Sequence, residues 1–67
     1  MRVEVNTSEY RFSHGREPRG RGLWCFALSG YMKGTEFTEH NGTYSEAKAK
    51  AVREARAIGF DRVNVLP

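Results

Sequence analysis

Four short segments of this chain alternate polar and apolar residues, which is the pattern of strands that bury one face. Successive side chains of a strand point to opposite faces, so such alternation separates a core face from an outer face. The predicted strands are residues 2–6, 23–29, 31–39 and 62–66. The second is the most apolar, so we expect it to be central in the sheet.

Large side chains indicate which face of the sheet forms the core. Trp24, Phe26 and Leu28 share one face of the second strand, and we expect Phe37 to join them from the third strand. The opposite, uncovered face is predicted to carry Arg2, Glu4, Asn6, Leu23, Cys25, Ala27, Ser29, Glu36, Thr38, Arg62, Asn64 and Leu66. Its charges nearly cancel and it contains no aromatic residue, so it does not have the character of a phosphate-binding surface.

One helix is predicted between the third and fourth strands. Thr43 and Glu46 have the spacing of a capping box, in which each side chain satisfies a free amide at the helix start. Spacings of three and four residues then predict a buried stripe of Tyr44, Ala47, Ala51, Ala55 and Ile58. Gly59 is placed for a left-handed C-cap that ends the helix.

These elements predict an α+β fold in the order β-β-β-α-β. The second and third strands are expected to form a hairpin, and a right-handed crossover through the helix makes the fourth strand parallel to the third. The predicted architecture is a single two-layer domain over residues 1–67, with a four-stranded mixed sheet in the order 3-2-1-4 and one helix packed on one face.

Positive charge is concentrated in residues 11–22, whose sequence is RFSHGREPRGRG. Gly and Pro disfavour both helices and central strands, so this segment is predicted to be a flexible loop. Its four arginines and one glutamate leave an excess of three, which equals the formal net charge of +3 of the whole chain. The rest of the sequence is therefore balanced in charge.

Length and composition exclude several classes of protein. A chain of 67 residues, 39% hydrophobic, suits one small domain. A single cysteine excludes an internal disulfide, and with two scattered histidines it gives no zinc-ligand spacing. No segment approaches the roughly 20 apolar residues of a membrane span, and the first residues lack the apolar region of a signal peptide. We expect a cytoplasmic protein that uses no membrane, metal or cofactor.

The arginine-rich loop is the strongest candidate for a functional site. Guanidinium groups bind phosphate oxygens bidentately, and glycines let the backbone approach closely. The predicted function is nucleic-acid binding, to DNA or RNA, without catalysis. The predicted contact residues are Arg11, Arg16, Arg19, Arg21, Lys50 and Arg53. The alternative interpretation is a solvated loop whose charge only maintains solubility.

A protein-interaction module is the second functional hypothesis. The loop would then bind an acidic protein surface, or the mildly apolar uncovered face would form a weak homodimer through Leu23, Cys25, Ala27 and Leu66. An enzyme is not predicted, because neither His14 nor His40 has a carboxylate or nucleophile partner evident from the sequence. Cys25, between aromatic residues, is interpreted as a small apolar side chain of a strand.

Gly42-Thr43-Tyr44 is followed by Glu46-Ala47 and by a helix rich in alanine, and Trp24 lies on a strand upstream. Over residues 21–57 this arrangement resembles the three-strand-plus-helix DNA-binding domains of phage integrases, of the arm-binding type, and plant ethylene-response-type domains. The resemblance implies DNA binding. Residues 18–26, PRGRGLWCF, also resemble short uncharacterised proteins carried by phages and plasmids, which implies a small binding protein of a mobile element.

Overall fold

The computed structural model describes residues 2–30 and 34–67, which form four strands and two helices. In chain order these are β1 (Glu4–Asn6), α1 (Ser8–His14), β2 (Arg21–Gly30), β3 (Gly34–Thr43), α2 (Tyr44–Ile58) and β4 (Arg62–Val65). The predicted α+β class and four-stranded mixed sheet are confirmed, whereas the predicted single helix and strand order are wrong. Within the described ranges, no helix has the length and apolar character needed to cross a membrane.

The sheet has the order β1-β4-β2-β3 instead of the predicted 3-2-1-4. The predicted parallel pairing of β4 with β1 is present, but β4 also pairs antiparallel with β2 and so separates β1 from it. Val63 and Val65 of β4 are fully buried, which suits a strand with a neighbour on each side. The three-residue β1 lies at the edge, because it has few apolar side chains to bury.

The segment after β1 is a helix, α1, which includes residues 11–14 of the predicted flexible loop. The Asn6 side-chain oxygen accepts a hydrogen bond from the Ser8 amide at 3.0 Å and so starts the turn. Tyr10 is only 6% exposed and anchors the helix in the core. Gly15 ends the helix with φ of 70°, a left-handed conformation that glycine adopts without strain. Burial of Tyr10 therefore stabilises a seven-residue helix that is too short to be stable by itself.

The hydrophobic core lies between the helices and one face of the sheet. Trp24, Phe26 and Leu28 are buried on β2 as predicted. The whole buried cluster consists of Tyr10, Trp24, Phe26, Leu28, Ala47, Ala51, Ala55, Phe60, Val63 and Val65. The fully buried alanines of α2 let the helix approach the large side chains of the sheet closely. Ile58, predicted to end the buried stripe, is 47% exposed instead.

The faces of β3 are opposite to the prediction. Phe37 pairs with Ala27, and Thr38 pairs with Phe26, so Thr38 and Glu36 lie on the core side of the sheet. Phe37 therefore lies on the uncovered face and is 74% exposed. The first residues of the predicted strand, 31–33, lie outside the described residues, and β3 continues to Thr43, beyond the predicted end at residue 39. A shift of one residue in hairpin register exchanges every side chain between the faces.

Both predicted caps of α2 are confirmed. The Thr43 hydroxyl accepts a hydrogen bond from the Glu46 amide at 3.2 Å, and a Glu46 carboxylate oxygen accepts one from the Thr43 amide at 3.0 Å. Gly59 takes φ of 100°, and its N–H donates to the Ala55 carbonyl at 2.9 Å. Local sequence therefore sets where this helix begins and ends.

Candidate nucleic-acid interface

The basic segment is anchored to the fold on both sides of a short irregular stretch. Of the predicted loop, residues 11–14 are helical and residues 21–22 belong to β2, which leaves residues 15–20 between them. Pro18 is buried, and the Gly20 carbonyl accepts a hydrogen bond from the Tyr44 amide at 2.8 Å. Arg21 already pairs with Thr43 in the β2–β3 ladder. The loop therefore lies against the N-terminal end of α2.

One groove, which we call the helix groove, lies between the start of β2 and the side of α2. It is open and has a volume of about 610 Å³. Its lining consists of Arg21, Asn41, Gly42, Glu46, Ala49, Lys50 and Arg53. Lys50 and Arg53 are three residues apart on α2 and so lie on one side of the helix, next to Arg21.

A second groove, the loop groove, lies between α1, the basic loop and the end of the chain. Its volume is about 370 Å³. It is lined by Tyr10, His14, Arg16, Arg19, Arg21, Gly22, Leu23, Trp24, Cys25, Leu66 and Pro67. Three arginines thus border a surface that also contains aromatic and aliphatic side chains.

Arg21 lines both grooves and joins them into one basic surface. Five of the six predicted contact residues line this surface: Arg16, Arg19, Arg21, Lys50 and Arg53. The sixth, Arg11, lies apart from the grooves, with its Nε atom 3.4 Å from a carboxylate oxygen of Glu17. Both partners of this ion pair are more than half exposed, so the pair adds little stability.

Glu46 is the acidic residue of the helix groove. Hydrogen bonds from the Thr43 amide and then the Thr43 hydroxyl lower the pKa of Glu46, and the nearby charges of Arg21 and Lys50 lower it further. The carboxylate is therefore ionised at neutral pH and offsets one of the three positive charges around it. The helix groove keeps a positive balance.

A row of aromatic rings, which the sequence analysis missed, begins in the loop groove and continues into the core. The His14 ring stacks on Tyr10 with a centroid distance of 4.1 Å and an interplanar angle of 19°. Tyr10 lies 5.6 Å from Trp24, and Trp24 lies 5.1 Å from Tyr44. The four-residue spacing of Tyr10 and His14 could have predicted the stacked pair of rings, but only if this segment had been predicted as a helix.

Burial affects two polar groups of this aromatic row, the Tyr44 hydroxyl and the Trp24 N–H. Desolvation raises the pKa of Tyr44, and the negative charge of Glu17 raises it further, so the phenol stays neutral at physiological pH. The Trp24 Nε1 atom is buried without a hydrogen-bond partner among the described residues. A buried donor of this kind costs about 1–3 kcal/mol.

His40 has a carboxylate partner that was not evident from the sequence. Its Nε2 atom lies 2.5 Å from Glu54 Oε1, and the Thr38 hydroxyl donates to the same oxygen at 3.1 Å. Fourteen residues separate His40 from Glu54, so only the packing of β3 against α2 joins them. The cluster links two elements of the fold and lies outside both grooves.

The uncovered face of the sheet carries an exposed apolar patch. Phe37 is 74% exposed and Leu23 is 55% exposed, and the half-buried Cys25 and Leu66 line a shallow groove together with Phe37. Ala27 lies under this patch and is only 7% exposed. The prediction of an uncovered face without an aromatic residue is therefore wrong, because the hairpin register places Phe37 there.

No known protein family, curated protein or solved structure matches this chain. The resemblance of residues 21–57 to integrase-type DNA-binding domains stays a prediction. The function is therefore inferred from the geometry and the charge of the described residues.

Proposed function

We propose that this protein binds nucleic acid through its backbone phosphates. The contact surface consists of the two grooves and uses Arg16, Arg19, Arg21, Lys50 and Arg53. The observation that carries the proposal is the position of Arg21, which lines both grooves and makes their cations neighbours. Arg11 contributes less, because it lines neither groove and lies beside Glu17.

An extended polyanion explains this arrangement better than a single small anion. Arg16 and Arg19 line one groove together with Arg21, and Lys50 and Arg53 line the other together with it. Successive phosphates of a nucleic acid carry one charge each and lie several ångströms apart, so they match cations spread along a surface. Both grooves are open to solvent, which leaves room for a chain to enter and leave.

The test is fluorescence anisotropy with labelled duplex DNA, single-stranded DNA and RNA, at low and at physiological salt. We expect an affinity that falls as salt rises, with a log-log slope of about −0.9 for each neutralised phosphate of a duplex, or about −0.7 on a single strand. Absence of binding to all three at low salt would refute the proposal.

Arg21→Ala is the most informative variant, since it removes a cation from both grooves. It is expected to weaken binding more than Lys50→Ala does. The log-log salt slope is expected to become shallower by the contribution of one phosphate contact, about 0.9 on a duplex. Arg56→Ala is the matched control, because Arg56 is an exposed cation of α2 that lines neither groove. Equal losses for Arg21→Ala and Arg56→Ala would show that net charge, and not this surface, drives binding.

Homodimerisation through the uncovered face is a second candidate function. Exposed Phe37 and Leu23 support it, and the same face carries charges of both signs, Glu39 and Arg62, which suits contact with a second copy. Sedimentation velocity tests it with Phe37→Glu, which is expected to abolish a dimer. Phe12→Glu is the control, because Phe12 is 92% exposed but lies on α1. A chain that is monomeric at high concentration rules this function out.

A further inference from the structure

We propose that the loop groove binds an unpaired base, stacked on the His14 ring, beside phosphates held by Arg19 and Arg21. The ligand class is therefore single-stranded nucleic acid. The inference rests on the proposed function and specifies which form of nucleic acid the surface takes.

The His14 ring has the geometry of a stacking platform. One of its faces lies on Tyr10, at a centroid distance of 4.1 Å and nearly parallel to it. Tyr10 is buried and packs in turn on Trp24, which is 8% exposed. His14 itself is exposed, so its other face is open to the groove that it lines. A base placed there would extend an existing row of rings.

The platform is held in place by the backbone on both sides. His14 is the last residue of α1, and the Gly15 N–H closes the helix by donating to the Arg11 carbonyl at 2.8 Å. Buried Pro18 then anchors the loop that carries Arg16 and Arg19. The stacking of His14 on Tyr10 and the burial of Pro18 thus anchor the ring and the loop backbone to the fold, which reduces the entropy lost on binding.

The other walls of the groove match the remaining parts of a nucleotide. Arg16, Arg19 and Arg21 offer guanidinium groups to phosphate, and Leu23 and Leu66 offer apolar surface to a base or sugar. The volume of about 370 Å³ is within the range of sites for small ligands, about 300–1,000 Å³.

Only an unpaired base fits this platform. Bases inside a duplex are stacked on their neighbours, so their faces cannot contact a side chain, whereas an unpaired strand exposes them. The combination of an aromatic platform with a basic groove is typical of proteins that bind single strands, and each stacked base contributes about 1–3 kcal/mol there.

The experiment compares two single-stranded probes of about ten nucleotides, one with adenine bases and one of the same length built from abasic sites. Both carry the same phosphates, so their difference measures the contribution of the bases. Each probe is titrated against the full chain, and the adenine probe is used in both a DNA and an RNA form. Competition with a duplex is measured as well. Emission of Trp24, the single tryptophan, provides a second readout next to the platform.

We expect His14→Ala to weaken binding of the adenine probe by about 5- to 150-fold and to leave the abasic probe nearly unchanged. His14→Phe keeps an aromatic ring and is expected to retain affinity for the adenine probe, which separates stacking from a general disturbance of α1. Ser13→Ala is the control for a change at an exposed neighbour on the same helix.

The outcomes separate this inference from the proposed function. If both probes bind with equal, salt-sensitive affinity, or if the duplex binds better, the proposed function stands and base stacking on His14 is wrong. If His14→Ala weakens both probes equally, the ring does not contact a base and the inference is again wrong. If no nucleic acid binds, the proposed function and the inference both fail.

Discussion

The Nε2 atom of His40 lies 2.5 Å from Glu54 Oε1, and this contact ties the edge strand β3 to α2. The Thr38 hydroxyl donates to the same oxygen at 3.1 Å. The His40 side chain is 20% exposed and the Glu54 side chain is 44% exposed. These three side chains fix the outer edge of the helix layer on the sheet.

Removal of Glu54 is expected to loosen this edge. Glu54→Ala deletes the acceptor for both His40 and Thr38, and we expect it to lower the free energy of unfolding by about 1 kcal/mol, since Glu54 is partly exposed to water. Urea denaturation at neutral pH measures the change. Glu36→Ala, at an exposed glutamate of β3, is the control and is expected to have little effect. Equal losses in the two variants would contradict a specific role for Glu54.

The register of the hairpin predicts opposite results for two phenylalanines. Phe26 is fully buried, so Phe26→Ala is expected to destabilise the fold by about 3–5 kcal/mol. Phe37 lies on the uncovered face, and Phe37→Ser is expected to change stability by less than about 0.5 kcal/mol. Thermal and urea denaturation of both variants check this. A large loss for Phe37→Ser would indicate that Phe37 is in the core.

The buried alanine stripe of α2 predicts that a larger side chain destabilises the fold on the buried side of the helix but not on its exposed side. Ala51 is fully buried against the sheet, so Ala51→Leu inserts atoms where there is no space and is expected to cost about 1–3 kcal/mol. Ala57 is an exposed residue of the same helix, and Ala57→Leu is expected to be nearly neutral. Denaturation midpoints measured side by side decide the matter, and a neutral Ala51→Leu would contradict the close packing of helix and sheet.

The capping carboxylate of Glu46 predicts a dependence of stability on pH. The folded state lowers the pKa of Glu46, so the contribution of its ionised form is complete above the unfolded-state pKa and is lost as pH falls through the folded-state value. Glu46→Gln is therefore expected to lose less stability than the natural chain between neutral pH and about pH 3. Urea denaturation across this range measures the difference. Glu9→Gln, in the first turn of α1, serves as control.

Patterns that act over a few residues were sufficient to predict several elements. The faces of β2 and the caps of α2 were predicted because alternation and capping depend on neighbours within one turn or one strand. Helix α1 was missed although Asn6 and Gly15 bracket it, because its stability comes from the burial of Tyr10 against residues distant in the chain. A sequence pattern therefore identifies an element only when interactions between neighbouring residues supply most of the stability of that element.

Strand order and hairpin register depend on contacts between distant residues. The alternation of residues in β4 indicates that Val63 and Val65 are buried, but it does not indicate which strands lie beside β4. Its position between β1 and β2 follows from the burial of these two side chains in the folded core. Likewise the alternation around Phe37 was correct, but the choice of face required the pairing with Ala27.

The positive charge of the candidate site follows from the sequence, since arginine keeps its charge in any fold that exposes it. The arrangement of that site depends on tertiary structure. Because β3 leads directly into α2 beside the first residue of β2, Arg21 meets Lys50 and Arg53 across a groove. Because α1 packs through Tyr10 on the core, His14 presents a ring next to the arginines of the loop. Contacts between residues far apart in the chain, set by burial of the core, produce both juxtapositions.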